Sequence, residues 1–158
     1  MKRNWLIVIV GPTAVGKTSL GIQLAQALQT EIISADARQV FKELAIGTAK
    51  PTSAELASVP HHFIDYKSVT EEYDAGQFGR EALQVIHFLF KNHPHVILCG
   101  GSGLYVKAVT EGFDDMPEVA ADLRKNIMAD YKKEGLEWLQ KRVEEEDPDY
   151  FAVVDKKN

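Results

Sequence analysis

Trp5-Leu6-Ile7-Val8-Ile9-Val10-Gly11-Pro12-Thr13-Ala14-Val15-Gly16-Lys17-Thr18 begins with an apolar run and closes on a loop bracketed by glycines. The run is rich in β-branched residues and predicts a strand. Residues 11–18 satisfy G-x-x-x-x-G-K-[ST] in full. Apolar Leu20, Leu24, Ala27 and Leu28 come next and predict a helix. Strand, loop and helix in that order are the setting in which this motif binds phosphate. Backbone N–H groups curl around phosphate oxygens, the helix N-terminus adds positive potential, Lys17 supplies a point charge, and the Thr18 hydroxyl can hold magnesium. Gly11, Pro12, Thr13, Ala14, Val15, Gly16, Lys17 and Thr18 are therefore the candidate diphosphate- or nucleotide-binding residues. The motif does not specify which phosphate compound is held.

Outward from this unit the pattern repeats. Glu31–Ala35 predicts a second strand ending at Asp36, and 41–60 reads as loop with a short helix near Thr52. His61–Tyr66 predicts a short strand, Ala75–Lys91 an amphipathic helix, and Val96–Cys99 a buried strand. Gly100-Gly101-Ser102-Gly103 turns into a helix over Leu104–Thr110, and Glu111–Pro117 is a breaker-rich link. Alternation of this kind predicts an α/β fold, a P-loop NTPase-like parallel sheet flanked by helices, with ligands beyond the carboxyl ends of the strands. A core over 1–116 and a small helical insertion or appendage over 117–158 are expected, the latter broken near Glu134–Gly135. The strand-end carboxylate of a nucleotide hydrolase has only a modest candidate, Asp65, and Val96–Gly101 carries none.

The chain has 158 residues, 45% hydrophobic and 26% charged, which suits an ordinary folded domain and excludes disordered and fibrous classes. No apolar stretch approaches the roughly 20 residues of a membrane-spanning helix. Met1-Lys2-Arg3-Asn4 is basic, but the apolar run after it lacks the length and cleavage site of a signal peptide, so a cytoplasmic location and no membrane partner are expected. The single Cys99 allows no internal disulfide and reads as a core residue. The net charge of −5 comes entirely from 113–158, since 1–112 holds ten basic and ten acidic residues. Composition thus shows no basic patch for nucleic acid.

Four further blocks stand in order behind the phosphate loop: Ile33-Ser34-Ala35-Asp36-Ala37-Arg38-Gln39-Val40-Phe41, Ile46-Gly47-Thr48-Ala49-Lys50-Pro51, Val59-Pro60-His61-His62 and Gly100-Gly101-Ser102-Gly103-Leu104-Tyr105. Together the five blocks resemble the signature of the tRNA dimethylallyltransferases. The resemblance implies transfer of a dimethylallyl group from dimethylallyl diphosphate to the adenine N6 beside the anticodon, position 37 of tRNAs that read codons beginning with U, with release of diphosphate. It implies Asp36 as the base for the adenine amine, with Lys17, Thr18 and Ser102 as the other catalytic residues, Mg2+ on Thr18 as cofactor, and Asp36, Ala37, Arg38, Gln39, Ser102 and Arg124 as contacts to tRNA. Ala37 and Ser102 stand where the family more often has serine and threonine. A monomer is expected. Family members also continue past residues comparable to the last ones here into further basic helices, so a longer parent chain is expected.

The chemistry is consistent with those residue types. An exocyclic adenine amine is a weak nucleophile that a carboxylate can orient and deprotonate. A departing diphosphate needs fixed donors. Two other readings share the loop: prenyl transfer to a free adenine nucleotide, and a small-molecule kinase using ATP. Adjacent His61 and His62 on a strand would face opposite sides and make a paired metal site unlike a real one. Spacing assigns no mechanism to them or to Lys50.

Overall fold

The computed structural model describes residues 3–114 and 119–157. Four strands form one parallel sheet in the order β1-β4-β2-β3. They are β1 (Trp5–Val10), β2 (Ile32–Ser34), β3 (His61–His62) and β4 (His95–Gly100). β4 lies between β1 and β2, in register from Trp5 opposite His95 to Val10 opposite Gly100, and with Ile32 opposite Ile97. Every crossover is therefore long, and α1 (Lys17–Leu28), α2 (Ser53–Ser58), α3 (Ala75–Leu89) and α4 (Gly103–Thr110) occupy or follow them.

Side-chain alternation along the strands divides the core in two. Ile33, Val96 and Leu98 point to one face, where Phe78, Ala82, Ile86 and Leu89 of α3 and Tyr105 and Val109 of α4 cover them. Ile32 and Ile97 point to the other, against Ile22 and Ala25 of α1 and Val59. The buried residues of α3 recur at the three- and four-residue spacing read from its sequence. Its start is fixed by Asp74, whose side chain accepts from the Gln77 N–H at 2.7 Å. α2 is closed by a capping box: Thr52 Oγ1 accepts from Glu55 N–H at 3.3 Å, and the Glu55 carboxylate accepts from Thr52 N–H at 2.7 Å.

On α1, Leu20 is 54% exposed, whereas Gly21, Ile22 and Ala25 are buried and Leu24 packs beside them. A Cβ on Gly21 would stand 3.5 Å from Cys99 Sγ. One expectation is corrected. The strand expected over His61–Tyr66 stops at His62. Phe63 and Asp65 adopt left-handed φ values of 64° and 51°, which take the chain out of the ladder and seat the Phe63 ring edge-on to Phe78, 5.2 Å between centroids.

Residues up to Asp114 and from Asp115 onward form two compact units. The boundary expected at 116/117 lies outside the described residues. The second unit holds α5 (Ala121–Glu134), α6 (Leu136–Glu146) and α7 (Pro148–Val153). Gly135, at φ 84°, separates the first two. α7 was not expected from the pattern; Asp147 caps it by accepting from Tyr150 N–H at 3.0 Å, and Pro148 opens its first turn. Among the described residues no helix is long and apolar enough to cross a membrane.

Candidate active site

At the carboxyl edge of the sheet a cleft of about 340 Å³ opens between the phosphate loop and the segments after β2. Thr13, Gly16, Lys17 and Thr18 line one side; Asp36 and Gln39, with Thr48, Ala49 and Glu55, line the other. The loop is possible because Gly16 takes φ 88°, a left-handed geometry that suits glycine. Among the described residues no side chain caps the start of α1, which leaves its first amides free to meet a ligand. Lys17 Nζ donates to the Pro12 carbonyl at 2.5 Å, which holds the ammonium over the loop.

Asp36 follows β2 directly, and its position is fixed on both sides. Its Oδ1 accepts from the N–H groups of Arg38 at 2.9 Å and Gln39 at 3.2 Å, a local turn that leaves Oδ2 without a protein partner among the described residues. The Ser102 hydroxyl, at the start of α4, accepts from Ala37 N–H at 2.8 Å. Gly100 permits this approach: a Cβ there would fall 2.0 Å from the Ala35 carbonyl oxygen. The β4-to-α4 turn thus presses on the β2 turn, and Ser102 acts on the backbone that carries Asp36.

The cleft therefore brings Thr13, Ala14, Gly16, Lys17, Thr18, Asp36 and Gln39 together. Gly11, Pro12, Val15, Ala37, Arg38 and Ser102 shape the segments around it without lining it, and Arg124 sits on an exposed face of α5 in the second unit. Ser19, Thr48, Ala49, Glu55, Cys99 and Gly100 also line it and were not among the candidate site residues. The Thr52-x-x-Glu55 spacing announced a capped helix but not its place at the cleft. Hydrogen bonds from Thr52 N–H and hydroxyl hold the Glu55 carboxyl below its usual range. Cys99 Sγ donates to the Lys17 carbonyl at 3.6 Å, and burial pushes its thiol up, so it stays protonated under the loop.

Asp65, the modest strand-end candidate, does not line the cleft. It pairs at 2.6 Å with Lys50, whose Nζ also donates to the Phe41 carbonyl at 2.6 Å. The two histidines go separate ways: His61 Nδ1 meets the Val59 carbonyl at 2.8 Å, and His62 Nε2 meets Glu31 at 2.6 Å. Among the described residues no group of three His, Cys, Asp or Glu side chains could hold a metal alone. The hard oxygens of Thr18, Asp36 and Glu55 around one cleft do suit Mg2+, which keeps several waters and binds mainly through substrate phosphates and one or two carboxylates.

A parallel α/β sheet with a phosphate-binding loop at its carboxyl edge, facing a strand-end aspartate, defines a phosphate-loop protein of the NTPase-like class. A family model described as IPP transferase matches residues 39–158. The chain is 48% identical to a tRNA dimethylallyltransferase of Christiangramia forsetii and 49% identical to one of Cytophaga hutchinsonii, each match covering 98% of this chain and 51% of the relative. Among solved structures it resembles the full-length tRNA isopentenylpyrophosphate transferase of Bacillus halodurans, with TM-score 0.68, 36% identity, and 100% of this chain against 52% of that one. It also resembles a eukaryotic dimethylallyltransferase described as acting on tRNA, with TM-score 0.80, 25% identity, and 98% of this chain against 38% of that one. The chain belongs to the IPP transferase family. It spans about half the length of the curated relatives it matches.

Proposed function

We propose that the protein transfers a dimethylallyl group from dimethylallyl diphosphate to N6 of the adenine beside the anticodon of tRNA, releasing diphosphate. The observation that carries this reading is the cleft itself, with a phosphate-binding helix start on one side and a carboxylate held on a turn at the other. In the reaction the bond from the allylic carbon to the diphosphate oxygen breaks, the nitrogen–carbon bond forms, and the N6 proton leaves.

Each step has a group to serve it. The amides at the start of α1 and the Lys17 ammonium receive the diphosphate and the charge that grows on it as the carbon departs. Asp36 presents Oδ2 to the amine, orients it and accepts its proton. Ser102 keeps Asp36 at its post through the Ala37 amide. Mg2+, held by Thr18 together with the diphosphate oxygens, would neutralise part of the leaving-group charge. The family resemblance assigns Asp36, Ala37, Arg38, Gln39, Ser102 and Arg124 to the tRNA. The enzyme is read as a cytoplasmic monomer.

Calorimetric titration of the chain with dimethylallyl diphosphate and with ATP, each with magnesium, tests the proposal. Selective binding of the prenyl diphosphate is expected. Selective binding of ATP would replace it with a kinase reading.

A further inference from the structure

Gln39 belongs to the segment that the family resemblance assigns to tRNA, yet its side-chain amide is spent inside the protein. Nε2 donates to the carbonyls of Thr48 and Ala49, both at 3.0 Å, and Oε1 accepts from the Ser34 hydroxyl at 3.3 Å. An amide carries two N–H donors, and each of these two carbonyls takes one. The segment it grips has little else to hold it there. Thr48 Oγ1 donates back to the Leu44 carbonyl at 2.7 Å, Gly47 and Ala49 have left-handed φ values of 77° and 50°, and Ile46 is 97% exposed. The loop's second anchor is Lys50, its side chain only 9% exposed, tied to the Phe41 carbonyl and Asp65. Thr48 and Ala49, the two gripped residues, line the cleft opposite Lys17 and Thr18.

We infer that Gln39 is a positioning residue for the prenyl donor: its amide, with Lys50, clamps the 46–50 loop as the fixed wall of the cleft facing the phosphate loop. Ser34, on β2, fixes the amide's orientation, so the width of the cleft is referred to the sheet itself. This rests on the proposed function for the identity of the donor, but the clamp is a mechanical property that can be measured without it.

Two substitutions test it. Gln39→Leu removes both donors at similar size. Gln39→Glu places a carboxylate against two carbonyls at neutral pH and regains one donor when protonated. Thermolysin cleavage before the exposed Ile46 reports the loop, and calorimetry reports the donor. Both variants should raise cleavage about tenfold at pH 8 and weaken dimethylallyl diphosphate binding by about the same factor, as loss of two modest hydrogen bonds implies. Affinity for an anticodon stem-loop RNA should be much less affected. For Gln39→Glu alone, the ratio of variant to parent cleavage should fall towards one as the pH drops to about 5.5, because only a carboxyl that regains its proton restores the clamp. Unchanged cleavage and donor affinity with a loss confined to RNA would overturn the inference and return Gln39 to nucleotide reading. If the parent chain binds no prenyl diphosphate, the functional proposal fails, and the cleavage arm still decides the clamp. Should Gln39→Leu not fold, Lys50→Met removes the other anchor and must give the same pairing of faster cleavage and weaker donor binding; tighter donor binding or unchanged cleavage there overturns the inference as well.

Discussion

Lys17 and Asp36 stand on opposite sides of one cleft, and their chemistry separates cleanly. Lys17→Ala should weaken dimethylallyl diphosphate binding about a hundredfold by calorimetry, the loss of a charge-assisted contact. Asp36→Ala should leave that affinity nearly intact and slow prenyl transfer by about 10³-fold in an assay of the full-length parent. Gly100 makes a different demand. With the Ala35 carbonyl 2.0 Å from where a Cβ would sit, Gly100→Ala should cost about 3 kcal/mol in urea unfolding, since backbone and not a movable side chain stands in the way. Lys17 and Asp36 were legible in the sequence because a motif or a strand end marked them. Glu55 and Thr48 were not, because they reach the cleft through a capped helix and a clamped loop whose placement no local pattern encodes. Lys50 and Asp65 show the same limit: fifteen residues apart in sequence, they meet only because Phe63 and Asp65 turn the chain back.

The elements differ in how firmly the sequence announced them. β1, β4 and α3 followed from apolar runs and from helical spacing, and β4 and α3 supply Val96, Leu98, Phe78, Ala82, Ile86 and Leu89 to the core on the α3 face of the sheet. α1 was announced as a helix by its apolar spacing, and its buried face is made by Gly21, Ile22 and Ala25 with Leu24 packed beside them. α7 could have been found from Asp147-Pro148, a capping residue followed by a first-turn proline. α2 is the element whose stability bears most on the cleft, since it carries Glu55. Thr52→Ala removes its capping box and should cost about 1 kcal/mol in the same unfolding assay. β3 brings a pH dependence. Burial makes the His61 ring harder to protonate than its ordinary 6.5, against the opposing pull of the Val59 carbonyl and Glu55. The unfolded chain therefore takes up the proton first, so the stability tied to neutral His61 is present above about pH 6.5 and is lost as the pH falls below it. The urea midpoint should drop between pH 7.5 and 5.5, and His61→Gln should flatten that drop.

At the scale of the molecule, the strand order β1-β4-β2-β3 puts the fourth of the described strands between the first two. Among the described residues β1 pairs only with β4, nearly ninety residues further on, and β2 finds only the two-residue β3 before it. The consequence concerns birth rather than chemistry. On the ribosome the phosphate loop, although made long before β4, hangs from an unpaired strand until Gly100 has cleared the exit tunnel. At roughly 5–20 residues per second that is a wait of several seconds or more. Nascent chains arrested before β4 emerges should be degraded by added protease along their whole exposed length, and those arrested after α4 emerges should show a resistant core. Through that interval Trp5–Val10 is an apolar strand with two open edges, a natural client for the chaperones that meet emerging chains.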